Sequence, residues 1–314
     1  MYFPYLYGRQ AELFALRDVA SGYGASIGVT PVIEPFNSAA TQLTVTLSEM
    51  NRLGFAGYLV MNPTLGDFVV QENLDQWIES VTPHMTTASH IRPAFQITHD
   101  DDLENLASFL DGTHGREVGV IVRGAGVSPT ELSAIRSGRL ATVFLHKSSN
   151  PRSHLRVLPS NRAVVVEECF TEQARNADYS GEEWFTSSNL EFRREGRPGF
   201  SDFGPLPPFP KLGGGQIAAA AIHLTFKYID GSIWIEHFIS DSTERGDGNS
   251  TSKMREATAR IYEEAMNNPD RFIANLGLRQ FLNQHEEGRP TSLGTSKQQQ
   301  LVHHMVTAAE CIPD

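Results

Sequence analysis

The chain has 314 residues, enough for one large domain or two ordinary ones. It is 40% hydrophobic and 20% charged, which excludes a disordered chain, and its net charge of −11 disfavours broad contact with nucleic acid or anionic lipid. Two cysteines, Cys169 and Cys311, exclude a disulfide framework and a cysteine-rich zinc site.

Short apolar runs alternate with helical patterns through the first half. Tyr2 to Leu6 reads as a strand, and Gln10 to Ala20 spaces Leu13, Leu16 and Ala20 as a helix does. Thr30 to Ile33 is strand-like and stops at Glu34-Pro35. A helix over Ala39 to Leu53 follows, then a strand over Phe55 to Met61 that ends at Asn62-Pro63. Gln71 to Val81 predicts a short helix, Arg92 to Ile97 a strand and Asp102 to Asp111 a helix with acidic first residues, which suit the helix dipole. Val118 to Val122 is a strand ending in Arg123. Ser128-Pro129 opens a helix with Ser as cap and Pro in the first turn. Strands over Ala141 to Leu145 and Ala163 to Val166 end in His146-Lys147 and Glu167-Glu168. These runs are continuous rather than alternating, as in a parallel sheet covered on both faces.

After Phe170 the rhythm breaks. Residues 171–215 are rich in Gly, Pro, Ser and charge, yet hold Tyr179, Trp184, Phe185, Phe192, Phe200 and Phe203, so a docked excursion is expected. Asp230-Gly231 separates Ile217 to Tyr228 from Ser232 to Ile239 as a hairpin turn does. The tail from Ser252 is helical. Seven strands plus one from Ile217 to Tyr228 predict an α/β fold, a (β/α)8 TIM-barrel-like chain with a long loop after strand seven, a β-hairpin and a C-terminal helical extension. The barrel is expected over 1–250, with inserted loop 171–215 and hairpin 216–241, and the extension over 251–314, packed on the barrel. An open doubly wound sheet is the alternative, but no GxGxxG follows the first strand. The longest apolar stretch, Ile217 to Leu224, is broken by His223 and is far short of the roughly 20 residues of a membrane helix. MYFPYLYGRQ lacks the pattern of a secretory leader, so a cytoplasmic location is expected.

The segments YFPYLYGRQAELFALRDV, PVIEP, MNP, SDFG, IHLTFK, HFISD and SKQQQLVHHM stand in this order from Tyr2 to about Met305. Together they resemble an uncharacterised bacterial family related to the phage-type Beta protein family. The resemblance implies a barrel-like α/β fold and a place in phage-defence or mobile-element loci beside a nuclease-like partner protein. It carries over no catalytic residue.

The site must therefore be read locally. A parallel barrel works at the carboxyl ends of its strands. Glu34, Arg123 and Glu167 each follow an apolar run directly and are the catalytic candidates. Arg9, Asn62, His146 and His223 are the ligand-binding candidates. The bland explanation is that strand ends become polar as they leave the core. Glu34, Glu167, Asp202 and His223 offer mixed oxygen and nitrogen donors, but there is no HExxH and no metal is assigned. Lys147 stands in a polar stretch, which disfavours a Schiff-base role. Cys169 beside two glutamates is a poor nucleophile, and Ser201 lacks an elbow context.

The expected function is binding of a phosphorylated or nucleotide-like small molecule in a polar rim pocket, with hydrolysis left open. The alternative is a noncatalytic barrel that binds and regulates the nuclease-like partner. No motif names a cofactor. His223 and His237 are expected to be either pocket-facing or buried and hydrogen-bonded. The segment 171–215 or the C-terminal helices should touch another protein or a second copy in a homo-oligomer. Deleting the tail from Ser296 is expected to weaken that association while leaving the barrel folded.

Overall fold

The structure, a computed structural model, describes residues 1–113, 115–135, 140–209, 217–289 and 291–313. It divides into two compact units. Unit 1 comprises Met1–Arg9, Tyr23–Glu168 and Glu191–Phe203; unit 2 comprises Gln10–Gly22, Cys169–Leu190 and Gly204–Asp314. This division differs from the expected boundary at residue 250, because the hairpin groups with the C-terminal helices.

Unit 1 carries the strand–helix rhythm. β1 (Tyr5–Leu6) is followed in the chain by α1 (Gln10–Tyr23), which groups with unit 2 except for Tyr23, and then by β2 (Val32–Ile33), α2 (Thr41–Arg52), β3 (Gly57–Val60) and α3 (Gln71–Thr87). α3 runs past the expected end at Val81, through Pro83. Next come β4 (Ile91–His99), α4 (Asp102–Gly112), β5 (Val118–Gly126), α5 (Pro129–Ala134), β6 (Leu140–His146), α6 (Pro151–Leu155) and β7 (Ala163–Glu167). The Ser128 hydroxyl accepts from the Glu131 amide at 3.3 Å, so the expected cap of α5 forms.

The described residues of 171–215 include β8 (Glu182–Thr186), α7 (Ser188–Glu191) and β9 (Ser201–Asp202). The parallel strands stand in the order β1-β2-β3-β4-β5-β6-β7-β9. The runs ending at Glu34, Asn62, Arg123, His146 and Glu167 therefore lie in one parallel sheet, as expected. The eighth strand corrects the expectation. It is the two-residue segment Ser201–Asp202 beside β7, not Ile217 to Tyr228. The barrel is nearly closed by Tyr2, which bridges in parallel to both Val29 and Phe200. The Phe3 amide donates to the Phe200 carbonyl at 2.9 Å. Gly199 permits this join: a Cβ there would stand 2.0 Å from the Met1 carbonyl oxygen.

The barrel interior is filled by Phe3, Tyr5, Val32, Tyr58, Val60, Ala94, Ile121, Phe144, Val164 and Val166, among others. Tyr58 reaches across to Thr142 with hydroxyl oxygens 3.0 Å apart, so its one polar atom is satisfied inside the core.

Unit 2 is built on β10 (Ala221–Lys227) and β11 (Ile233–Ile239), joined through Gly231 at φ 87 as the Asp-Gly signal predicts. They form a three-stranded antiparallel sheet in the order β10-β11-β8. The hairpin does not close the barrel. α8 (Ser250–Asn267), α9 (Leu276–Glu286) and α10 (Leu293–Glu310) complete the unit. α8 and α9 bury Met254, Ala257, Ile261, Leu278 and Phe281 with Ile222, Leu224 and Phe226 of β10. α10 is buried on every side from Leu301 to Ala308. A helix without a polar face is central to its domain. The tail from Ser296 is thus part of the core of unit 2, not a detachable contact element.

His223 and His237 pair across the hairpin, with Nδ1 atoms 2.7 Å apart. His237 Nε2 lies 3.3 Å from Glu183 Oε1, and Phe170 and Tyr179 pack their rings against both imidazoles. One Nδ1 must donate and the other accept, and burial lowers both imidazoles, so the rings pair as neutral, opposite tautomers, His237 giving its Nε2–H to Glu183. Burial, then the neighbouring His237, pushes His223 down to about 3. Between pH 6.5 and 3 the unfolded chain takes up a proton that the folded chain refuses. The stabilisation is therefore complete above pH 6.5 and is lost as pH falls. From pH 7 to 5 the loss from His223 should be about 2 kcal/mol. Urea midpoints at the two pH values measure it, and the fall should be smaller in His223→Gln. An equal fall in that variant would place the acid sensitivity elsewhere.

Candidate functional site at the carboxyl ends of the barrel strands

Side chains alternate between the two faces of a strand, and that phase decides which strand ends face the barrel axis. Val32, Val60, Ala94, Ile121, Phe144 and Val166 are inner residues of β2 to β7. Two positions further on, the same phase gives Glu34, Asn62, Gln96, Arg123, His146 and Glu168. β1 contributes Tyr5 and Tyr7, and Phe203 follows β9 into the same cluster.

Glu34 and Arg123 form the centre. Glu34 is fully buried, and the Arg123 side chain is only 12% exposed. Arg123 Nη2 donates to Glu34 Oε2 at close range, and the Tyr5 hydroxyl donates to the same oxygen at 2.8 Å. Nη2 also lies 3.4 Å from the Tyr5 hydroxyl oxygen and 3.5 Å from that of Tyr7. The Ser148 hydroxyl donates to the Arg123 carbonyl, which anchors this end of β5. Two donors on one carboxylate oxygen describe an ionised Glu34. Burial raises its carboxyl above the ordinary range against the pull of Arg123 and Tyr5. Burial, then Glu34, holds the Tyr5 phenol far above its usual value, so Tyr5 remains a donor.

His146 is also buried. Its ring stands edge-on to Tyr5, centroids 4.6 Å apart, with Phe203 at 5.8 Å. Burial, reinforced by the Arg123 charge, pushes its imidazole well below the ordinary histidine value. It is a neutral ring at physiological pH and a weak base. Tyr7 stacks on Phe203 with rings 6.1 Å apart and 12° from parallel, which gives the cluster an apolar wall.

Among the described residues, several buried polar atoms here have no hydrogen-bond partner: Glu34 Oε1, Gln96 Oε1, Arg123 Nε and His146 Nε2. Each such atom costs on the order of 1–3 kcal/mol unless something meets it. The set contains acceptors, one donor and one nitrogen whose role depends on tautomer. It can recognise a polar molecule that carries both hydroxyl or amine groups and oxygen acceptors.

The expected residues divide. Glu34, Arg123 and His146 share this layer of the barrel. Glu167 has the opposite phase: it shares a face with Val165 and sits in register with Asp202, whereas Val164 and Val166 face the axis. It does not join the opening expected for it. Asp202 is buried and accepts from the Tyr2 hydroxyl at 2.6 Å, a structural contact at the barrel join. Asn62 uses its amide on β4, donating to the Gln96 carbonyl at 2.9 Å and accepting from the Gln96 amide at 2.8 Å. It extends the strand ladder rather than facing a ligand. Arg9 is half-buried beyond Gly8, whose left-handed φ of 63 interrupts the alternation of β1. His223 belongs to unit 2 and is committed to His237. Lys147 is 74% exposed and pairs with Glu168 at 3.3 Å, a solvated rim contact. Tyr5 and Gln96 are not marked as site residues by the sequence, and Phe203 is marked only as a docked aromatic; the phase of their strands places them here.

Among the described residues, no group of three His, Cys, Asp or Glu is arranged to hold a metal ion, and no helix is long and apolar enough to cross a membrane. No family model, no curated protein and no solved structure matches the chain.

Proposed function

We propose that the strand ends of unit 1 bind a small polar ligand of nucleotide-like or sugar-phosphate chemistry. One observation carries the reading: buried polar atoms of Glu34, Gln96, Arg123 and His146 lack partners in the layer where parallel barrels bind ligands. The Glu34–Arg123 pair is neutral overall, so an isolated anion would find little net attraction. A ligand with hydroxyl or amine donors for the two Oε1 acceptors, and an oxygen for Arg123 Nε, satisfies more of the set. If the ligand is hydrolysed, Glu34 is the better proton acceptor, since burial raises its carboxyl while it lowers His146. The role in phage defence or a mobile element, beside a nuclease-like protein, is proposed from the sequence resemblance alone.

Thermal unfolding and calorimetry against nucleotides, nucleosides, sugar phosphates and inorganic phosphate test the proposal. At least one organic member should bind, and His146→Gln should weaken it about tenfold or more, the effect of losing one buried hydrogen bond. Loss of turnover in Glu34→Gln, measured where the variant is folded, would identify a hydrolase. Failure of every member to bind would defeat the reading.

A second reading, a noncatalytic regulator of a partner protein, draws on unit 2. β8 is an outer strand of its sheet, with Trp184 55% exposed, and Ile229 at the hairpin turn is 93% exposed. An open strand edge with exposed apolar side chains suits protein docking. Loss of partner binding in Trp184→Glu, with His146→Gln unaffected, would favour it.

A further inference from the structure

Beside Met61 and Asn62, at the carboxyl end of β3, unit 1 holds an apolar cavity of about 700 Å³. It is lined by Ile78 and Met85 of α3, Phe95 of β4, Phe109 and Gly112 of α4, and Arg116. Its size falls within the roughly 300–1,000 Å³ of small-molecule sites. Its cause lies in the two helices. α3 buries Trp77, Val81 and Met85, whereas α4 buries only Leu106 and Leu110. Phe109 is left half-buried against the half-buried Phe95, ring centroids 5.0 Å apart. Apolar rings stay partly exposed where a close-packed interface would cover them.

Arg116 is the charged residue of this lining, and no carboxylate belongs to it. Its guanidinium donates to the carbonyls of Met85 at 2.6 Å, Ala88 at 2.8 Å and Ile91. Those three bonds leave two of the five guanidinium N–H groups for another acceptor. Burial pulls its pKa down, and among the described residues no carboxylate forms an ion pair with it. An apolar trough with one unbalanced cation at its edge is complementary to an anionic head on an apolar tail. Ile78 and the flexible Met85 suit an alkyl chain, which can adapt to them.

We propose that this cavity binds a medium-chain alkyl carboxylate, with its chain along Ile78, Met85, Phe95 and Phe109 and its head on Arg116. The site is separate from the layer of Glu34 and His146 and does not rest on the function proposed for it. Gly112 supplies the test. A Cβ built there meets nothing within 4 Å, and its φ is not in the left-handed region, so this lining position accepts a larger side chain without clash or backbone strain.

Calorimetric titration of the whole chain with decanoate at low salt should give a Kd of about 10–100 µM, as expected for a ligand of this size. Gly112→Leu should weaken binding at least tenfold with an unchanged unfolding temperature. Thr82→Phe, a lining position on α3, should do the same. Decanol should bind at least tenfold more weakly than decanoate, and added salt should narrow that gap. No heat at 1 mM decanoate, undiminished binding in both variants, or equal binding of decanol would each overturn the proposal.

Discussion

Glu34→Gln should destabilise unit 1 by about 3–5 kcal/mol, the usual result when one member of a buried ion pair is removed. The substitution keeps the volume and leaves an oxygen for the Tyr5 hydroxyl. It removes the charge opposite Arg123, whose side chain is only 12% exposed. The guanidinium would then remain in a site walled by Tyr5 and Tyr7 with no counter-charge. Arg123→Met alone should cost a comparable amount, because Glu34 is fully buried and would lose its cation. The double variant Glu34→Met with Arg123→Met should recover most of the loss, since an apolar pair of similar volume is often as stable as the ion pair it replaces. Urea unfolding of the two single variants and the double variant gives the coupling energy directly. A Glu34→Gln protein within 1 kcal/mol of wild type would mean that water already reaches the pair.

Truncation before Ser296 should abolish the folding of unit 2. The removed helix buries Leu301, Val302, Met305 and Val306, all at most 1% exposed. At about 1.5–3 kcal/mol each, these side chains contribute about 6–12 kcal/mol, comparable to the whole net stability of a domain. The loss is also polar. His303 Nε2 lies 2.8 Å from the Thr225 carbonyl oxygen and its Nδ1 lies 3.0 Å from Asn275 Oδ1. Gln300 Oε1 accepts the backbone amide of His223 at 2.8 Å. Truncation removes these partners of the Thr225 carbonyl and His223 amide in β10, and leaves the Asn275 side chain only its capping bond from the Leu278 amide. Hydrogen exchange should find the amides of β10 and β11 unprotected in the truncated chain. Native-like protection there would show that α10 is dispensable.

The apolar runs made the barrel legible. Each of the seven runs from Tyr2 to Val166 becomes a barrel strand, because a continuous Val/Ile/Leu-rich stretch suits a parallel strand covered on both faces. That same continuity hides the phase. A run such as Ala163 to Val166 is apolar on both sides, so it does not say whether Glu167 or its neighbour faces the axis. Glu34 and Arg123 lie in phase with the interior, and Glu167 does not. The eighth strand was illegible for another reason. Ser201–Asp202 is two residues long and polar, inside a Gly- and Pro-rich stretch. Its pairing comes from the barrel join around Tyr2 and Phe200, a contact of long sequence separation. The stronger β signal of Ile217 to Tyr228 belongs to a separate antiparallel sheet. Asn62 and His223 have the chemistry of ligand groups, but their polar atoms are taken by Gln96 and His237, which only the folded chain reveals.

Nitrogen-15 NMR of the histidine side chains, with His146 assigned by its loss in His146→Gln, tests most directly whether the strand ends of unit 1 form a ligand site. At neutral pH the His146 ring should be uncharged, and it should not titrate near 6.5. On addition of a binding nucleotide or sugar phosphate its Nε2 resonance should shift, because that nitrogen gains a hydrogen-bond partner. A His146 that titrates at the ordinary histidine value, or an Nε2 resonance unmoved at saturating ligand, would contradict the account.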